Sequence, residues 1–137
     1  MTRYVITPEV ALRLVDGGAP PAVGHQLLAP TLLRSQLLSA LYGAVRRGEL
    51  TRREADHALD RVRGLRIRLL GDRVLQSTAW TIADRLGHPD TLAAEYLALT
   101  RLQADALVTL DPELAAAARG VVPLASVEEL TEAQGRA

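Results

Sequence analysis

The segment Ala106-Leu107-Val108-Thr109-Leu110, closed by Asp111-Pro112, constrains the fold more than any other stretch of the chain. A run this apolar has no polar face to turn to water, so it belongs inside a sheet covered on both sides. Strands of that kind mark the centre of parallel sheets, whose crossover helices cover both faces. Tyr4-Val5-Ile6 is a shorter apolar run halted by Thr7-Pro8. Pro suits the first turn of a helix, here Glu9 to Val15. Gln26 to Ala29 predicts a second strand before Pro30. Arg66-Ile67-Arg68-Leu69-Leu70 alternates and then turns apolar, predicting a third. Val121-Val122-Pro123-Leu124 predicts the last, with Pro123 favouring a sheet edge.

Helices fill the intervals. Leu33, Leu37, Ala40, Leu41 and Ala44 recur at spacings of three and four between Thr31 and Arg47, and Gly48 closes that helix. Thr51-Arg52-Arg53-Glu54 is a capping box, in which each end's side chain satisfies a free backbone donor of the other. It opens a helix with Ala55, Ala58, Leu59 and Val62 on its inner face. Asp72 caps a helix carrying Leu75, Ala79, Ile82 and Leu86, with Gly87 at its end. After His88-Pro89, Asp90 caps the helix of Leu92, Tyr96 and Leu99. A short Ala-rich helix follows Pro112, and Ser126-Val127-Glu128-Glu129 opens a final one. Asp16-Gly17-Gly18-Ala19-Pro20-Pro21 is the clearest loop. Strands alternating with helices predict a three-layer α/β/α sandwich around a central parallel sheet. A length of 137 residues, without repeat or linker, predicts one domain spanning 1–137.

Composition narrows the function. Sixteen basic residues, all Arg, cancel sixteen acidic ones, which argues against holding nucleic acid by bulk charge. The absence of Cys excludes a disulfide framework, a thiolate zinc site and a cysteine nucleophile. No apolar run approaches the roughly 18 residues of a membrane span. The first eight residues lack the apolar stretch of a signal peptide, so a cytoplasmic location and no membrane partner are expected. Aromatics at 3%, with no Phe, leave few platforms for stacking bases.

Ligands of open parallel sheets bind beyond the carboxyl ends of the strands, where Thr7 and Asp111 stand. Leu27-Leu28-Ala29-Pro30 before a helix, then Glu95-Tyr96-Leu97-Ala98-Leu99, then Ala106-Leu107-Val108-Thr109-Leu110-Asp111, resemble the PIN domain in order and spacing. Within that family the resemblance is to the VapC-type toxins of bacterial toxin–antitoxin pairs, and it runs from Tyr4 to about Leu130. It implies a metal-dependent endoribonuclease whose acids come from the first strand end, the long helix, a later helix and the central strand end. Those positions fall here on Thr7, Gln36, Ala93 and Asp111, so Asp111 alone remains an acid.

That departure governs the functional expectation. Magnesium takes hard oxygen ligands, usually one or two carboxylates with waters and substrate phosphates, and the acids hold it where it activates water. At about 4 Å and an effective dielectric near 20, each unit-charge pair is worth roughly 4 kcal/mol before desolvation. Losing three carboxylates predicts metal affinity weaker by orders of magnitude. The expectation is a degenerate site and a pseudo-nuclease that acts by binding. No cofactor is expected, with Mg or Mn only if a residual site works. The resemblance also implies a homodimer formed through helices and an antitoxin tail over the acidic groove. Family antitoxins often insert a basic side chain there, a contact that the lost acids put in doubt. The expected partners are a second copy, a small antitoxin-like protein, or an active relative for which this chain is a non-cutting decoy.

Two other functions stay open. Glu9 and Asp90, with Asp111, can form a rearranged acid set serving an active Mg- or Mn-dependent endoribonuclease. Glu9 lies two residues after Thr7; Asp90 lies one turn before Ala93, where its plainer role is a helix cap. Glu95 points to a different face from Ala93, and Asp16 sits in the glycine loop. Asp111 before Pro112 also reads as a simple helix start. Thr109 either bonds a metal-bound water or packs, and Gln36 either bonds Asp111 or a backbone group across the groove or stands solvated, which would mean a more remodelled groove. The other function is RNA binding without cleavage. Arg46, Arg47, Arg52 and Arg53 can grip RNA phosphates or an acidic partner, or form a solvated turn paired with Glu49, Glu54 and Asp56. Arg66 and Arg68 share one side of their strand and suggest a sheet edge or interface. His25, His57 and His88 share no metal-binding spacing and read as surface or loop residues.

Overall fold

A computed structural model describes residues 1–17 and 20–132. Gly18 and Ala19 of the glycine loop lie outside the described residues, as do 133–137 of the expected domain. The chain runs β1 (Thr2–Ile6), α1 (Pro8–Asp16), β2 (His25–Pro30), α2 (Leu32–Arg46), α3 (Arg52–Arg63), β3 (Arg68–Leu70) and α4 (Arg73–Leu86). It continues through α5 (Leu92–Gln103), β4 (Ala106–Val108), α6 (Pro112–Ala118), β5 (Leu124–Ala125) and α7 (Val127–Thr131).

The strands are ordered β3-β2-β1-β4-β5 and all four pairings are parallel. The central register sets Val5 beside Leu28 on one side and Leu107 on the other. Side chains alternate between faces along a strand, and the sheet divides its apolar residues accordingly. Val5, Leu28 and Leu107 pack with Leu75, Ala79, Ile82 and Leu97 of α4 and α5. Tyr4, Ile6, Leu27 and Val108 pack with Val10 and Leu14 of α1, Leu37 and Leu41 of α2, Val62 of α3 and Leu130 of α7. This is a three-layer α/β/α sandwich. Right-handed crossovers account for the layering. The chain steps one way from β1 to β3 and lays α1 to α3 on one face, then returns through β4 to β5 and lays α4 to α6 on the other. The direction reverses between β1 and β4, so the carboxyl ends of those two strands flank the switch point where such sheets bind ligands.

Local chemistry sets the helix ends. The Thr51 hydroxyl accepts from the Glu54 amide at 3.0 Å, and the Glu54 carboxylate accepts from the Thr51 amide at 2.9 Å. Asp72 accepts from Leu75 N–H at 2.8 Å, and Gly87 ends α4 with φ +69°, a left-handed conformation that favours glycine. Ser126 and Glu129 form a second capping box at α7.

Four expectations need correction. The sheet's middle strand is β1, and β4 lies beside it; Thr109 and Leu110 leave the sheet because Thr109 Oγ1 takes the Asp111 N–H at 3.0 Å and turns the chain. β3 begins at Arg68, since Arg66 takes φ +55° and turns out of the strand. Arg68 does lie on an edge strand, but it shares no strand face with Arg66. β5 starts one residue after Pro123, although it is an edge strand. Ala40 of α2 is exposed, while Leu37 and Leu41 carry the buried stripe. Among the described residues no helix is long and apolar enough to cross a membrane.

Candidate functional site

A cavity of about 460 Å³ opens at the carboxyl ends of β1 and β4. It is lined by Thr7, Pro8 and Glu9 from the start of α1, Gln36, Ser39 and Ala40 from α2, Leu92, Ala93 and Tyr96 from α5, and Asp111 and Leu114 at α6. The four positions singled out by the family resemblance, Thr7, Gln36, Ala93 and Asp111, therefore share one groove. Glu9 joins them. Asp90 does not line the groove; its Oδ1 accepts from Leu92 N–H at 3.1 Å at the start of α5, although Thr91 is the residue in the N-cap position. Glu95 does not line it either, and burial raises its carboxyl above the ordinary range.

Neutral groups set the groove's interior. The bond from Gln36 to Asp111 or a backbone group that the sequence suggested is not formed among the described residues: Gln36 Oε1 instead accepts the Tyr96 phenol at 2.7 Å. Tyr96 is buried, and burial raises its hydroxyl well above the usual phenol range, with Glu9 and Glu95 adding smaller electrostatic contributions. Sequence reasoning gave Tyr96 no role here. The available signal was its position three residues after Ala93, a spacing that shares a helical face. Thr7 is 2% exposed, and its Oγ1 has no hydrogen-bond partner among the described residues.

The two acids have local reasons to be where they are. Asp111 Oδ1 accepts from Glu113 N–H at 3.0 Å and caps α6. Glu9 sits in the first turn of α1, where the helix dipole favours a negative side chain. A magnesium or manganese ion needs several hard oxygens converging with negative charge. Here two carboxylates face neutral groups, and among the described residues no three of His, Asp and Glu are grouped to hold a metal. The groove offers a divalent cation two carboxylates, where the resemblance implies four acids.

None of the four turn arginines lines this groove. Arg47 bonds Glu49 at 2.6 Å, which lowers the Glu49 carboxyl, and Arg52 pairs with Asp56 at 3.2 Å. Glu54 gives its carboxylate to the capping box instead of an arginine. Arg46 and Arg53 have no ion pair among the described residues, and Arg53 lines a separate groove between α1 and α3. His25 corrects another expectation: it begins β2, donates from Nε2 to the Glu132 carbonyl at 2.8 Å, and meets the Tyr4 ring edge-on at 5.2 Å.

No family model matches the sequence, and no curated protein matches it. Solved structures do match. PAE2754 from Pyrobaculum aerophilum superposes with a TM-score of 0.75 at 23% identity, over 95% of this chain and 93% of that one. VapBC2 from Rickettsia felis, bound to a DNA fragment from their promoter, superposes with a TM-score of 0.59 at 12% identity, over 90% of this chain and 98% of that one. At these identities the likeness is one of fold, and the fold is the three-layer PIN-like sandwich.

Proposed function

We propose that this chain is a VapC-like PIN protein of toxin–antitoxin type that has lost catalysis and acts by binding. The observation that carries the reading is the Tyr96–Gln36 hydrogen bond. Where the resemblance calls for a metal-holding carboxylate, a neutral amide stands with its oxygen engaged by a phenol. Thr7 and Ala93 add no charge, and Asp111 already serves α6. A metal bound by Asp111 and Glu9 alone would leave most of its coordination to water, too little to fix a phosphate and an attacking water together. The partners that suit this reading are a second copy, a small antitoxin-like protein, or an active relative, in the cytoplasm. The similar VapBC2 structure is bound to a DNA fragment from their promoter, and an assembly with a partner protein is the setting proposed here.

The competing reading, an active endoribonuclease with a rearranged acid set, has Glu9 and Asp111 in one groove but lacks Asp90 there. Manganese titration by calorimetry, on the native protein and on Asp111→Asn, separates the two. The expected result is no binding up to millimolar metal and no RNA cleavage. Micromolar binding lost in Asp111→Asn, with cleavage in manganese, overturns the proposal.

A further inference from the structure

A second cavity, of about 550 Å³, lies between α2, α3 and the β3 edge of the sheet. That volume falls within the range of sites that hold ligands or side chains. Its walls are aliphatic, with Leu33, Leu37, Leu38, Leu59, Ile67 and Leu69 among them, and Leu38 is 58% exposed. Its charged lining residues are Arg34, Arg63 and Arg66, and no carboxylate lines it. Arg63 is held by Asp60, whereas Arg34 and Arg66 have no ion pair among the described residues. In a chain whose net charge is zero, Arg34 and Arg66, without ion pairs among the described residues and beside a cavity that no acid lines, create a local positive field over an apolar floor.

The backbone supports the same arrangement. Arg66 is the one described residue other than glycine with positive φ, at +55°. Such a conformation disfavours a long side chain and persists where surrounding structure imposes it. Here it turns the chain out of the α3 end and into β3 with Arg66 beside the cavity.

We propose that this face docks a partner protein through an amphipathic segment. Its aliphatic side chains enter the cavity while its Asp or Glu residues meet Arg34 and Arg66. Charge complementarity selects an acidic segment over a basic one. The lining selects peptide over nucleic acid: it holds no aromatic ring for a base to stack on, and phosphates on the arginines would leave the leucines facing water. The inference adds a surface and a partner chemistry to the binding function proposed above. It fails separately from it, because metal binding and RNA cleavage are read at the strand-end groove.

The test uses the full chain and three fluorescent probes: a designed helical peptide of Leu and Glu, its counterpart with Lys at every Glu, and a single-stranded RNA. Anisotropy is expected to show the Leu/Glu peptide binding about tenfold or more tightly than the Leu/Lys peptide, with the preference shrinking as salt is raised. Arg34→Glu with Arg66→Glu, both at exposed positions, is expected to abolish or reverse the preference. Leu38→Ser is expected to weaken the Leu/Glu peptide while circular dichroism shows an intact fold. Equal affinity for the two peptides, no binding of either, or a preference unmoved by the charge reversal overturns the proposal. So does RNA displacing the Leu/Glu peptide from the native protein.

Discussion

The phenolic hydroxyl of Tyr96 donates to Oε1 of Gln36 at 2.7 Å and ties α5 to α2 across the carboxyl ends of the strands. The bond joins residues 60 positions apart and closes the groove from two layers of the sandwich. A carboxylate at position 36 would also accept that proton, but it would bring a charge beside a buried ring already influenced by Glu9 and Glu95. The amide takes the same bond without the desolvation cost of a charge.

The bond's contribution is measurable. A net hydrogen bond contributes about 0.5–1.5 kcal/mol, so Tyr96→Phe is expected to destabilise the fold by about 1 kcal/mol in denaturant unfolding. A double-mutant cycle with Gln36→Leu should show a coupling of similar size. A coupling near zero would mean that the two side chains do not bond in solution.

Alkaline pH probes the same ring. Burial raises the Tyr96 hydroxyl above its ordinary value of 10.0, so the folded state keeps a proton that the unfolded state releases first. The contribution is therefore intact below pH 10 and lost as pH rises beyond it. Unfolding midpoints should fall as pH passes 10.0, and Tyr96→Phe should flatten that fall. Tyr4, also raised by burial, leaves part of the slope in place. An unchanged slope in Tyr96→Phe would assign it to other groups.

At the start of α3 the expectation concerns acid. The Thr51 amide bond lowers the Glu54 carboxyl below its ordinary value of 4.5. A depressed folded value gives stability that is present above 4.5 and lost as pH falls through the lowered value. Thr51→Ala is expected to cost about 1 kcal/mol at neutral pH, as loss of a cap does. Glu54→Gln should lessen the acid-side decline in unfolding midpoint. If neither substitution changes stability, the box is not formed in solution.

What the sequence disclosed follows the range of the interactions. Thr51-Arg52-Arg53-Glu54, Asp72 and Gly87 are legible because a cap joins residues within a few positions of one another. The alternation of strands and helices, with apolar runs at Val5, Leu28 and Leu107, is legible because each element must bury its own face. Thr7 and Asp111 were legible as strand ends, but their grouping with Gln36 and Ala93 came only through the family resemblance, since four separate elements deliver the set. The Tyr96 bond was not legible: α5 is apolar nearly all round, and nothing local marks which face a buried phenol turns to α2. Arg66 was misread for a related reason. Its alternation with Arg68 fits a strand, but the turn after α3, where Arg66 N–H reaches the Arg63 carbonyl, overrides it.

Thr7 tests the floor of the groove. Its buried Oγ1 lacks a partner among the described residues, so the side chain bears a desolvation cost without a compensating bond. Thr7→Val keeps the shape and removes the oxygen. The expected effect is neutral to about 1 kcal/mol stabilising in denaturant unfolding. A loss of more than about 1 kcal/mol would show that the hydroxyl is hydrogen-bonded in solution.

Restoring the acids is the strongest test of the groove as a whole. In Thr7→Asp with Gln36→Glu and Ala93→Asp, three carboxylates would join Asp111 and Glu9 in a cavity of about 460 Å³. Without metal their mutual repulsion, and the burial of position 7, should make the variant less stable than the native chain. Manganese should reverse the sign of that difference in crowding: a metal that binds only the folded state at a hundred times its Kd stabilises by about 2.7 kcal/mol. The native protein should show no such shift, because its two carboxylates have little to offer the ion. The measurement is thermal unfolding of both proteins across a manganese series, followed by RNA cleavage with the restored variant. A manganese-stabilised variant that cuts RNA would mean that the groove still has nuclease geometry and lacks only its charge. A variant that folds but ignores manganese would mean that the helices no longer hold these positions at ligand distance, and the assignment of Thr7, Gln36 and Ala93 to the family's acids would fall with it.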